Sequence, residues 1–440
     1  MTHEAKVEAV ARAVREAAAA GVQVRPFKRR GVSHVVPLPK DGRFTQRPVD
    51  VTDLDRVLEI DRDARTCVAE PGVPFSRLVT ETLANGLLPT VVPELEGITI
   101  GGAVAGCSVE GMSYKYGGFH DSAIEYEVVT GEGDVLACSP DREPHAFGMM
   151  HGSYGTLALL TRLKFRLVPA KPFVKLEYRR YDCVEAFHAA MLERCRADDF
   201  DFVDGIIHGP REHVLCLGRF TDAPPYVSTY RWLKVFYKST RVRTEDYLTT
   251  HEYCFRYDTE CHWLTRTFPP LEWWPVRLLV GKWVLGSTNV IRTYKRLEPL
   301  FGLKRRPDVV CDVFIPDGRF EDFCRWYERD YDFWPLWVVP YRIPKPYPWV
   351  SPGWAKGLGD FVIDCAVYGK PNEDPAVDAS EQLERKTFEL GGIKTLISRN
   401  HYTPEAFWQV YDRAALEDAK RRLDPRGAFP DFFTQFHRVG

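Results

Sequence analysis

Residues 91–118 read VVPELEGITIGGAVAGCSVEGMSYKYGG, and the reading of this stretch decides the fold. It is dense in glycine and carries a single basic side chain, Lys115. Main chain, rather than side-chain charge, is therefore its contact surface. Gly97, Gly101, Gly102, Gly106 and Gly111 lack a Cβ, which permits a positive φ and lets the backbone come close to a bulky ligand. Consecutive main-chain N–H groups in such turns form a concave nest for anions. The pattern predicts a cradle for a phosphate-bearing cofactor. The competing reading is a glycine-rich loop packed for its own sake, since a glycine run alone is a weak signature.

Working outward, Glu4–Ala20 sets Val7, Val10, Ala11, Val14 and Ala18 at helical spacing ahead of the stop at Gly21. A short strand over 22–24 then delivers a basic loop running from Phe27 to His34. Val57–Ile60 and Thr66–Ala69 flank a polar turn as a hairpin. Pro74 opens a helix that reaches Ala84 and ends near Gly86. On the other side, 124–130 and 135–138 flank Gly131-Glu132-Gly133-Asp134 as a second hairpin. Gly152-Ser153-Tyr154-Gly155-Thr156-Leu157 leads into an alternating strand over 159–167.

The order P-E-L-x-x-I-T-I-G-G at Pro93–Gly102, followed by G-C-S-V-E-G-M-S-Y-K-Y-G at Gly106–Gly117, resembles the flavin-binding domain of the vanillyl-alcohol oxidase superfamily. Within it, the match is closest to the Δ24-sterol reductase family, also called diminuto or seladin. The tail agrees in order: Gly391-Gly392-Ile393-Lys394, then Tyr402, F-W-x-x-Y-D at Phe407–Asp412, and A-F-P at Ala428–Pro430. The resemblance implies an α+β fold: a PCMH-type, two-subdomain FAD-binding domain over 1–170, an α+β substrate cap over 171–400, and a segment over 401–440 that returns to the FAD domain. It implies pyrophosphate contacts from Arg29, Arg30, Gly31, Val32, Ser33 and His34. The cradle contacts it implies are Pro93, Glu94, Thr99, Ile100, Gly101, Gly102, Gly106, Cys107, Ser108, Glu110, Ser113 and Gly117. A second flavin-contacting segment would be Gly155, Thr156 and Leu157. Arg30 and His34 have the R-x-x-x-H spacing of members that tether the flavin through histidine. The surrounding loop lacks the G-G-H pattern of those members, so a non-covalent FAD is expected.

Composition bounds the rest. The 440 residues allow two or three domains, and 45% hydrophobic with 13% aromatic content is that of a folded chain. Lys plus Arg number 59 against 61 Asp plus Glu, a net charge of −2 that gives no field attracting nucleic acid. The eleven cysteines include no C-x-x-C pair, which suits a reducing compartment. No secretory core follows Met1 and nothing approaches 18 consecutive apolar residues, so a cytoplasmic location without a transmembrane segment is expected. Pro169-Ala170-Lys171-Pro172 reads as a stiff boundary. Beyond it, strands over 202–208, 214–220, 309–315 and 361–368 alternate with helices over 184–194 and 319–331. The stretch 262–286, HWLTRTFPPLEWWPVRLLVGKWVLG, places Trp263, Trp273, Trp274 and Trp283 beside Arg266, Arg277 and Lys282. That mixture suits peripheral contact with a membrane surface; ordinary cap core is the alternative.

A flavin brings the redox chemistry, and the protein must position a substrate and handle a proton. The candidate proton groups are Glu110, Tyr114, Tyr116, Asp312 and His401, with Glu110, Tyr116 and His401 taken as the catalytic set. No G-x-G-x-x-G after a strand, Walker loop or H-E-x-x-H occurs. His208 and His213 have no partner pair, so no metal site is expected. With no separate nicotinamide domain in the sequence, NADPH would act transiently over the same flavin. The first reading is thus an NADPH-dependent ene-reductase acting on a sterol- or isoprenoid-like lipid side chain. A flavin oxidase or dehydrogenase of an alcohol, of polyol or lactone type, is the second. A non-catalytic flavin- or lipid-binding protein is the third.

Overall fold

The computed structural model describes residues 1–28, 46–267, 269–289, 309–372, 374, 376–397 and 399–437. Helices and strands alternate in an α+β architecture built on two main antiparallel sheets, with β1 (Val24–Phe27) and β2 (Arg47–Asp50) as a separate parallel pair. The smaller sheet contains β3 (Val57–Asp61), β4 (Thr66–Ala69), β5 (Leu87–Pro89), β6 (Ala123–Val129), β7 (Val135–Cys138) and β8 (Leu159–Pro169). Its order is β3-β4-β8-β6-β7, with β5 on the end of β8. Both predicted hairpins form, with Ile60 opposite Cys67 and Val128 opposite Leu136.

A larger, eight-stranded sheet follows, in the order β12-β9-β11-β10-β14-β15-β13-β16. Its strands are β9 (Phe173–Tyr181), β10 (Phe202–Gly209), β11 (Glu212–Thr221), β12 (Glu245–Thr249), β13 (Val309–Pro316), β14 (Leu336–Arg342), β15 (Phe361–Lys370) and β16 (Ile393–Lys394). The Pro169–Pro172 segment falls between the last strand of one sheet and the first of the other.

Alternation along these strands sorts the core. Val203, Ile207, Leu215, Leu217, Val313, Val338 and Cys365 face a layer that includes the Val184–Ala197, Phe320–Trp326 and Ala379–Glu389 helices. Phe202, Ile206, Val214, Trp337, Val339, Val362 and Ala366 face the other way and share one continuous core with the smaller sheet. This second face matters for function, because it closes over the glycine-rich stretch.

The two chain ends are tied together. Helix α1 (His3–Ala19) is capped by Thr2 and buries Val7, Val10, Ala11 and Val14 against Val24, Val49, Val129 and Leu159, with Ala428 and Phe429 from the tail. The Val24 N–H donates to Ala428 O at 2.7 Å. Asp424 accepts from the Ala428 and Phe429 N–H groups at 2.7 and 2.8 Å.

Two sequence expectations shift. The strand placed at 22–24 forms at Val24–Phe27, and pairs in parallel with Arg47–Asp50. The helix expected over 319–331 is α-helical only through Trp326 and continues as a π turn over Tyr327–Tyr331.

Candidate cofactor and substrate site

The glycine-rich stretch is a helix rather than an open loop at its centre. Thr99 is extended and α3 (Ile100–Ala105) begins immediately after it, with Lys28 Nζ donating to Thr99 Oγ1 at 2.7 Å. None of Gly97, Gly101, Gly102, Gly106 and Gly111 has a positive φ, contrary to the sequence reading; in this region Gly117, Gly152 and Gly155 do. The cause is packing. A Cβ on Gly101 would lie 2.5 Å from Pro71 Cβ, and one on Gly111 would lie 3.1 Å from both Phe202 Cβ and the Tyr253 hydroxyl. Gly102 differs: it is exposed, and a Cβ there would meet only Thr99 Oγ1 at 3.4 Å.

Behind α3, a partly open cavity lies between the sheets. The smaller sheet's side contributes Gly106, Cys107, His120, Gly152 and Tyr154; the larger sheet contributes Phe314, Tyr341 and Val362. Ile393–Thr395 and Tyr411 close the remaining side, with Trp349. The Tyr154 hydroxyl is fixed by the Leu396 N–H at 3.0 Å. The walls are thus largely aromatic and aliphatic.

One end is polar. Asp121 Oδ2 accepts from Tyr347 at 2.7 Å, Tyr341 at 3.2 Å and the Gly118 N–H at 2.8 Å. His120, Asp121 and His151 offer ligand atoms within 4.8 Å of one another, a grouping that sequence spacing conceals. Lys345 Nζ already stands 3.9 Å from Asp121 Oδ1. Burial pushes both imidazoles below the ordinary histidine range, so they are neutral rings at physiological pH.

The three residues predicted as catalytic lie in three different surroundings. Glu110 is buried, and its Oε1 accepts from Arg256 Nη1 at 2.9 Å and the Tyr253 hydroxyl at 3.2 Å. Arg256, itself fully buried, reaches Asp204 with its other amino group at 3.0 Å, where Trp337 Nε1 also donates at 2.8 Å. Glu110 is therefore one arm of a Glu–Arg–Asp ion cluster joining the glycine-rich segment to β10. Tyr116 is 36% exposed, next to the Lys115–Asp198 ion pair of 2.6 Å. His401 shares a 2.8 Å hydrogen bond with Ser380 Oγ, and its N–H donates to Glu384. None of the three lines the cavity.

Of the predicted cofactor contacts, Arg29, Arg30, Gly31, Val32, Ser33 and His34 lie outside the described residues. Gly106 and Cys107 line the cavity. Glu94 is buried, 3.6 Å from His262 Nε2, and burial together with the charge of Glu110 raises its pKa well above the carboxylate range. Ser113 Oγ accepts from the Glu110 N–H at 3.0 Å. Pro93, Ile100 and Ser108 are buried around α3, and Gly117 ends the next helical turn. Thr156 and Leu157 line a second hollow together with Lys420 and Phe432.

Comparison with known proteins places this geometry. Residues 4–139 match an FAD binding domain family. The chain is 25% identical over 403 residues to the Delta(24)-sterol reductase of Homo sapiens, covering 88% of this chain and 77% of that protein. It is 22% identical over 412 residues to the Delta(24)-sterol reductase homolog dhcr-24 of Caenorhabditis elegans, covering 87% and 78%. The chain is an FAD-binding oxidoreductase, similar over most of its length to these sterol reductases. A narrower likeness, 30% over 135 residues and 30% of this chain, is to cytokinin dehydrogenase 6 of Oryza sativa subsp. japonica.

The residues of this sterol-reductase-like flavoprotein fit FAD. A flavin ring is flat, with one apolar and one polar edge. The cavity offers aromatic walls together with buried polar atoms, Trp349 Nε1 and His120 Nδ1, that have no hydrogen-bond partner among the described residues. Buried polar groups require partners, and a flavin or substrate edge can supply them. Gly102 and Gly155 leave open space where a side chain would stand. FAD, when bound, would supply hydride chemistry, and the chain would position it.

Proposed function

We propose that the protein is an FAD-dependent ene-reductase that saturates a carbon–carbon double bond in a sterol- or isoprenoid-like lipid side chain, with NADPH as reductant. The observation that carries this reading is the extent of the likeness. The sterol reductases align over 88% of the chain, through both sheets, whereas the cytokinin dehydrogenase match stops at 30%. The substrate-side strands, not only the cofactor fold, thus follow the reductases. The cavity supports the same reading: its lining is mainly aromatic and aliphatic, which suits a hydrocarbon chain. In this reading Phe314, Tyr341 and Val362, on the larger sheet's side of the cavity, hold the alkene against the ring.

The FAD is non-covalent in this reading, released when the chain is denatured. Steady-state assay with NADPH and a Δ24-unsaturated sterol tests the function. The expected outcome is NADPH consumption matched one-to-one by saturated product. Turnover of alcohols with release of peroxide, and none of alkenes, would replace the reading with an oxidase.

A lipid surface is the partner this reading favours. Among the described residues no helix is long and apolar enough to cross a membrane, but the Trp274–Val284 helix carries Trp274 at 65%, Leu279 at 78% and Trp283 at 81% exposure. Tryptophan on an exposed apolar helix suits the interfacial zone of a bilayer.

A further inference from the structure

His151 has no part in the reading above, yet it is one of three potential metal ligands that the fold gathers. His120 and Asp121 sit in the single helical turn Phe119–Ser122, just ahead of β6, and His151 lies in the turn that leads into Gly152–Leu157. One ligand atom from each residue lies within 4.8 Å of the other two, and the imidazole rings are 4.8 Å apart between centroids. Three atoms so placed are each within about 2.8 Å of a common point, so shifts of under about 1 Å reach the roughly 2.0–2.2 Å at which zinc holds nitrogen and carboxylate oxygen.

The cluster is short of partners from the chain itself. His151 is fully buried, and neither of its ring nitrogens has a hydrogen-bond partner among the described residues. The rings of Tyr126, Phe147 and His120 surround it. Asp121, with its side chain only 2% exposed, is held through Oδ2 by Tyr347, Tyr341 and the Gly118 N–H, while Oδ1 accepts no hydrogen bond among the described residues. Outer hydrogen bonds of this kind fix the orientation of a metal's ligands. His120 Nε2 stands 3.3 Å from Asp121 Oδ2, so His120 can ligate through Nε2 and keep Nδ1 for a partner in the cavity. Polar groups at this depth are unfavourable unless paired. Lys345 Nζ, 3.9 Å from Asp121 Oδ1, shows that positive charge is welcome there, and its side chain is 42% exposed and can turn to solvent.

We infer that His120, Asp121 and His151 bind one divalent transition-metal ion, zinc first among them. Two imidazoles and a carboxylate suit zinc, whereas magnesium and calcium take oxygen ligands and do not match the set. Zinc has no redox chemistry of its own, and with three protein ligands it keeps a fourth position for water. The ion ties the Phe119–Ser122 turn to the turn ahead of Gly152 and, through the Tyr341 hydroxyl on Asp121, to β14 of the larger sheet. It therefore stiffens the polar end of the cavity. Zinc binding of this kind is independent of the reaction proposed above.

The test uses the untagged, FAD-loaded protein, stripped with a chelator and then given zinc alone. One zinc per chain should survive dialysis into metal-free buffer, and the melting temperature should rise with zinc concentration. X-ray absorption at the zinc edge should show a nitrogen and oxygen shell at about 2.0–2.2 Å with the scattering pattern of imidazole. His151→Phe, which keeps an aromatic ring among Tyr126 and Phe147, should bind zinc more weakly by about 100-fold or more. Lys345→Met should bind it several-fold more tightly, because a competing cation is gone. Should His151→Phe fail to fold, His120→Asn takes its place, and the absorption spectrum of the wild type needs neither. Wild-type protein that holds no zinc after dialysis, a sulfur shell at the edge, or unchanged affinity in the histidine variants overturns the site.

Discussion

At Gly102 the structure separates two effects that a glycine-rich sequence confounds. Its backbone is ordinary α-helix and its Cβ position is nearly open, so Gly102→Val brings no left-handed strain and little helix penalty. With Gly102 as a proposed cofactor contact, a valine there would stand in the cofactor's way. The expected outcome is a melting temperature within a few degrees of wild type and FAD affinity lower by about tenfold or more, roughly 1.4 kcal/mol, read by flavin retention on gel filtration. Arg256 behaves oppositely. It is buried between Glu110 and Asp204, and Arg256→Met strands two carboxylates. A loss of about 3–5 kcal/mol in urea denaturation is expected, and Glu110→Gln with Asp204→Asn in the same chain should restore part of it. Asp378 gives a pH-dependent case. The Arg399 guanidinium and the Ser380 hydroxyl hold it down to about 2 from 3.8, against the effect of burial. A depressed folded pKa means stability present above the unfolded value and lost as pH falls through the folded one. Asp378→Asn should therefore lower stability at neutral pH and flatten the acid limb between about pH 4 and 2, so that the two stability curves converge below about pH 2.

At the scale of elements, local pattern and tertiary consequence were legible to different degrees. The amphipathic α1, both hairpins of the smaller sheet, and β10, β11, β13 and β15 were legible because burial on one face writes a period into the sequence. The α-helix at Ile100–Ala105 was not: two glycines after a threonine suggest a turn, and only the close seat of Gly101 on Pro71 explains the residue. The site was less legible still. Arg256 claims Glu110 from 146 residues away, and His151 joins His120 and Asp121 through the fold, at a spacing that no motif rule names. The Trp274–Val284 helix is a case where composition did point to a surface. Trp274→Ala with Trp283→Ala should reduce co-sedimentation with lipid vesicles several-fold while changing stability by no more than about 0.5 kcal/mol per site, as for other exposed positions. Equal sedimentation of variant and wild type would remove the membrane from this helix's role.

For the whole molecule, the two sheets meet along one apolar core, and the cavity lies on that seam. The tail completes the arrangement: Lys420 Nζ donates to Thr156 O at 2.9 Å and to Phe429 O at 2.8 Å, and Tyr411 reaches the cavity wall. The smaller sheet, the larger sheet and the tail thus converge on one space, and the reaction proposed for it is the reduction of an alkene. The measurement that bears on it most directly is an anaerobic mix of the pre-reduced flavoprotein with an isoprenoid alkene, following the flavin absorbance and the product mass. The account predicts return of the oxidised flavin spectrum together with a product two hydrogens heavier than the alkene. A reduced flavin that persists with every alkene, in a protein whose oxidised flavin is bleached by an alcohol, would contradict it.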